Sequence, residues 1–140
     1  MKRIISITLV LAALLLMATP VHGAAPPEMQ PQYTDAISVV STLNISDSDI
    51  ATVVVRVIGN QSLTNTSVKI YLERRGALVW LPPDINDFGQ PTWEYSTTDR
   101  NFSQTFSMQL DRPGEYRAVC EFTFTGSVTE EVTKTAYATN

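Results

Sequence analysis

The stretch RPGEYRAVC, Arg112 to Cys120, decides how this chain is read. Pro113 and Gly114 are turn residues: proline presets one backbone dihedral, and glycine reaches conformations closed to other residues. From Tyr116 the pattern becomes strict alternation. Tyr116, Ala118 and Cys120 share one parity, which Phe122 and Phe124 continue, while Arg117, Glu121 and Thr123 take the other. A period of two with apolar residues on one side marks a strand with one buried face. Cys120 is the one cysteine of the 140 residues, so no disulfide closes within the chain. Its place on the apolar parity predicts a buried, unreactive thiol.

The same texture extends outward from this strand. Upstream, Phe102, Phe106, Met108 and Leu110 share a parity and lead into a turn over Asp111 to Gly114. Downstream, Gly126 turns into a last strand over Val128 to Thr139, where Lys134 shares a face with Val132 and Ala136. A lysine so placed suits a sheet edge, since it blocks pairing with another edge. Earlier in the chain, Ala36 to Ile45 reads as a strand with Ile37, Val39, Leu43 and Ile45 on one parity. Ile50 to Ile58 sets Ala51, Val53, Val55 and Val57 against Thr52 and Arg56. Val68, Ile70 and Leu72 alternate with Lys69, Tyr71 and Glu73. Arg74, Arg75 and Gly76 then turn the chain into a short hairpin partner, Ala77 to Leu81, with Glu73 to Arg75 read as solvated hairpin charge. Pro82 stops that partner. An irregular stretch, PPDINDFGQP at 82–91, precedes a short edge strand over Thr92 to Ser96. Seven or eight short strands with no helical period predict an all-β, antiparallel sandwich.

Tyr116 narrows the fold further. Asp111, Gly114 and Tyr116 stand as D-x-x-G-x-Y, close to the tyrosine corner of immunoglobulin-like domains, where the hydroxyl bonds a nearby backbone group. The alternative is an ordinary tyrosine at a strand entry. In antibody-type domains the disulfide cysteine follows that tyrosine by two residues; here Ala118 holds the place. With strand order and corner together, residues 33–140 resemble small secreted immunoglobulin-like proteins of Gram-positive bacteria. The stretches that carry the resemblance are ISVVSTLNISDSDIATVVVRV, VKIYLERRGALVW, PGEYRAV and TGSVTEEVTKTAYAT. It implies an immunoglobulin-like sandwich, with Gly114 and Tyr116 as structural residues, and an extracellular address. It implies no site. Cys120 and the long proline-rich loop depart from its pattern.

The N-terminus agrees on the address. Lys2 and Arg3 precede an apolar run, Ile4 to Met17, which is shorter than the roughly 20 residues of an ordinary bilayer span. Pro20 and Gly23 follow, as in a secretory signal peptide cleaved after Gly23. Residues 24–32, AAPPEMQPQ, then read as a flexible leader. Cleavage leaves 117 residues with eight basic and fourteen acidic side chains, a net charge of −6, and removes His22, the one histidine. That balance opposes nucleic-acid binding, which needs a concentrated basic face, and opposes tight binding to anionic lipid. No stable membrane insertion is expected after cleavage.

Catalysis is disfavoured on the same grounds. Without histidine there is no Ser-His-Asp or Cys-His pairing, and one thiol makes no ordinary zinc site. A glycosidase-type carboxylate pair is compatible with the composition, but a lone small sandwich offers little cleft. Asp47, Ser48 and Asp49, or Asp84 and Asp87, supply oxygen atoms but lack the spacing of a calcium loop, and read as turn residues. No cofactor is expected. Trp80, Phe88, Trp93 and Tyr95 gather between residues 80 and 95. Exposed together they would stack on sugar rings or anchor a protein; turned inward they would cover the core. Asn44, Asn60, Asn65 and Asn101 open N-x-S/T sequons, which in a bacterial product read as turn and strand composition. The expectation is a secreted, non-catalytic binding or adhesion module with an unknown protein or glycan ligand. The alternatives are a carbohydrate-binding module using Trp80, Trp93 and Tyr95, and an assembly subunit pairing through edge strands.

Overall fold

A computed structural model describes residues 32–84 and 86–140. The expected signal peptide, and the leader up to Pro31, lie outside the described residues. The chain from Gln32 to Asn140 forms eight antiparallel strands and, among the described residues, no helix. They are β1 (Ala36–Ile45), β2 (Ile50–Gly59), β3 (Asn65–Arg75), β4 (Trp80–Leu81), β5 (Trp93–Thr97), β6 (Asn101–Gln109), β7 (Glu115–Thr125) and β8 (Thr129–Thr139). One sheet runs β1-β2-β6. The other runs β4-β3-β7-β8, with β5 also on β3. β1, β2 and β6 take the A, B and E positions of an immunoglobulin-like sandwich, and β3, β7 and β8 take C, F and G.

Period-two burial holds the two sheets together. Ala51, Val53, Val55 and Val57 of β2 are fully buried and face Val68, Ile70 and Leu72 of β3 and Tyr116, Ala118, Cys120, Phe122 and Phe124 of β7. Each valine, leucine, isoleucine or phenylalanine among them, taken from water, stabilises the fold by roughly 1.5–3 kcal/mol before the entropy of ordering is charged against it. Cys120 is free and buried on this face, and burial pushes its thiol pKa up to about 11, with the Ser41 hydroxyl acting weakly the other way.

The Tyr116 hydroxyl donates to the Arg112 carbonyl at 2.6 Å. Gly114, between them, sits at φ +149°, where an L side chain is strained. This is the geometry of a tyrosine corner: the turn and the strand that follows it are clamped by one part-buried bond. Burial raises the Tyr116 pKa, and the carboxylate of Asp111 adds to the effect, so the hydroxyl stays a donor at neutral pH.

Two expectations are corrected. Ile37 does not share the inner face with Val39; it is 67% exposed, and Ala36 is buried instead. A register irregularity between Ala36 and Ser38 inserts a residue into β1, and an inserted residue reverses every side chain beyond it. The hairpin partner of β3 is also shorter than Ala77 to Leu81. Only Trp80 and Leu81 pair, with Arg75 and Arg74, while Leu78 is almost wholly exposed.

The long irregular stretch has a clear course. β4 and β5 both lie antiparallel on the same edge of β3, at Arg74–Arg75 and at Thr66–Ile70. They are two pieces of one edge strand, and the described residues between them, 82–84 and 86–92, loop out. Thr92 bridges the gap: its N–H donates to the Ile70 carbonyl, and its Oγ1 accepts from the Leu72 N–H at 2.9 Å and from Asn86.

Candidate functional site

The four aromatic residues between 80 and 95 do not form one cluster. Trp93 and Tyr95 point inward from β5 and pack against the core. Their rings meet Phe106 at 5.7 Å and Phe102 at 5.7 Å across to β6, so they close the flank between the two sheets. Trp80 and Phe88 lie on the opposite side, over the outer face of the β3-β7-β8 sheet. Trp80 is held by the guanidinium groups of Arg117 and Arg75, 4.5 and 5.3 Å from its ring centroid, and by Tyr137 at 6.0 Å. Phe88, at the tip of the 82–92 loop, is 78% exposed.

The outer parity of the strands builds the floor beneath Phe88. In one row Glu73 of β3 opposes Arg117 of β7, which opposes Tyr137 of β8; in the next Tyr71 opposes Val119. Arg117 Nε donates to Glu73 Oε2 at 2.6 Å, and each side chain is about a quarter exposed. The charged stretch at 73–75 is thus only partly solvated: Glu73 fixes a guanidinium, while Arg75 lies over Trp80 with its side chain more than half exposed. Further along, Lys69 lies between Glu94 and Glu121 in register. Burial, reinforced by the carboxylates of Glu121 and Glu94, raises the Tyr71 pKa and keeps its hydroxyl protonated.

Together these residues enclose a hollow of about 360 Å³, walled by Pro82, Phe88 and Gln90 of the loop and floored by Tyr71, Glu73 and Arg117. The volume is at the small end of ligand pockets, roughly 300–1,000 Å³. An aromatic ring on one wall, a tyrosine on the floor and fixed donors and acceptors between them suit a ligand with an apolar face and several hydroxyl groups. No group of three His, Cys, Asp or Glu side chains is placed to hold a metal among the described residues.

A second hollow, broad and about 600 Å³, lies at the loop end between Ile37, Asn60, Arg100 and Asn101. Its asparagines serve the fold. Asn60 donates to the Thr34 carbonyl and accepts from the Ser62 N–H, and Asn101 accepts from the Gly59 N–H. Asn65 likewise accepts from Ser96.

Of the four aromatic residues predicted from sequence to bind, only Phe88 lines the outer-face hollow, and Trp80 touches it only through the Arg117 guanidinium. Tyr71, Glu73, Arg117 and Glu121 escape a sequence reading because each sits at an ordinary outward position of a strand. The signal that points to them is indirect: an over-long loop between two short strand pieces has to lie on something, and the neighbouring outward residues are what it covers. A scan against family models and a search of curated proteins return no match to this chain.

Proposed function

We propose that the protein is a secreted, non-catalytic binding module that holds a saccharide on the outer face of its β3-β7-β8 sheet. The carrying observation is the hollow between Phe88 and the Glu73–Arg117 pair. Its size suits a ligand of one or two rings rather than a protein surface. Its polar groups are planar and already oriented, so they cost little to order when hydroxyl groups bind. The carbohydrate reading thus moves from Trp93 and Tyr95, which are occupied in the core, to Tyr71, Phe88 and the ion pair.

A glycan array tests the reading. The native protein is expected to retain a restricted set of sugars, and Phe88→Ala is expected to lose them while keeping its far-UV circular dichroism. An array on which the native protein retains nothing overturns it.

A further inference from the structure

The edges of the two sheets are treated very differently. β8 carries Glu130, Glu131 and an inward Lys134, whose ammonium lies 5.5 Å from the Tyr33 ring centroid. β1 has its irregularity at Ala36–Ser38. The β4–β5 edge is cut in two by the 82–92 loop. Charge, bulges and interruption are the devices by which sheet edges avoid pairing with other chains.

β6 has none of them. Asn101–Gln109 reads NFSQTFSMQ, without charge or proline, and its register with β2 is unbroken from Ile58↔Asn101 to Ile50↔Gln109. It is the last strand of its sheet, and among the described residues no strand pairs with its other side. The chain as a whole carries a net charge of −4, so two copies repel except where a neutral strip lets them approach.

We propose that β6 is a self-association edge, on which a second copy of this chain docks its own β6 antiparallel. A two-fold axis at Thr105, the middle of the strand, preserves parity. Phe102 then meets Met108 on the inner side, Ser103 meets Ser107 on the outer side, and Thr105 meets itself. Every pair is uncharged. Past the strand ends the same register sets Asp99 of one copy opposite Asp111 of the other, a like-charge pair that is offset by the neighbouring Arg100 and Arg112, so each end carries two charges of each sign. The product is a continuous β1-β2-β6-β6-β2-β1 sheet. This surface is separate from the outer-face hollow and stands without it.

Sedimentation equilibrium and cysteine cross-linking test the proposal. The protein is expected to show a monomer–dimer equilibrium at concentrations up to about 1 mM. Thr105→Lys places two ammonium groups directly opposite one another and is expected to weaken the dimer about tenfold or more. Thr105 is exposed, so the variant keeps its fold, and circular dichroism checks this. Thr105→Cys is expected to give a disulfide-linked dimer on mild oxidation, because residues opposed across strands have Cα atoms roughly 4.5–5.5 Å apart. Ser103→Cys, whose counterpart is Ser107, is expected not to cross-link. A strictly monomeric protein, a dimer indifferent to Thr105→Lys, or cross-linking by Ser103→Cys in preference to Thr105→Cys would each overturn it. So would capture of a foreign extended peptide by β6 with no self-association.

Discussion

Two residues with no part in binding carry much of the local order. The Tyr116 hydroxyl closes the turn on which β7 begins by donating to the Arg112 carbonyl. Tyr116→Phe is expected to lower unfolding stability by about 1–2 kcal/mol in urea titration, with the aromatic packing retained. Asp35 is the second. It is 2% exposed, its Oδ1 accepts from the Ser127 hydroxyl, and its Oδ2 accepts from the Val128 N–H. The Ser127 bond most of all, against the opposing effect of burial and with help from the Val128 N–H, holds its pKa below the ordinary 3.8. A carboxylate lowered on folding stabilises above its unfolded pKa, and that contribution is lost as pH falls through the folded value. The thermal stability of the native protein should therefore fall below about pH 4, and Asp35→Asn should remove part of that dependence while being less stable at pH 7. Gly126 is tied to the same place: a Cβ there would lie 2.6 Å from the Asp35 carboxylate and from the Ser62 carbonyl oxygen.

At the scale of elements, β5 decides whether the 80–95 aromatics are core or site. It pairs with β3 but sends Trp93 and Tyr95 across to Phe106 and Phe102 of β6, so at this flank the two sheets are joined by ring contacts. Trp93→Ala is expected to cost about 2–3 kcal/mol of stability, since the ring is partly rather than fully buried, and to leave binding at the outer face intact. Phe88→Ala is expected to do the reverse. Strand existence and the inward parity of β2, β3 and β7 were legible in the sequence because alternation records burial directly. Ile37 was not: one inserted residue in β1 reverses its side, and neither isoleucine nor its neighbours announce the insertion. Nor was the split of the aromatics legible. Which face Trp80 and Trp93 meet depends on β4 and β5 sharing one edge of β3, a long-range pairing that local periodicity does not encode.

Over the whole molecule, the inner faces are nearly saturated with apolar contacts, while the outer face of the β3-β7-β8 sheet carries ordered charge and accessible rings. The residues that stabilise the fold and those proposed to bind a ligand thus lie on opposite sides of the same strands: Tyr116, Ala118 and Phe122 inward, Arg117, Val119 and Glu121 outward. Two copies joined at β6 would present two outer faces and raise the avidity for a repeating ligand without any new contact to it. The most direct measurement is residue-resolved NMR of the protein titrated with a glycan selected on the array. The amides of Tyr71, Glu73, Phe88, Arg117 and Glu121 should shift together in a saturable manner, while those of Val55 and Phe122 should stay in place. Shifts gathered instead at Asn60, Arg100 and Asn101, or at Trp93 and Tyr95, would contradict the assignment of binding to the outer face.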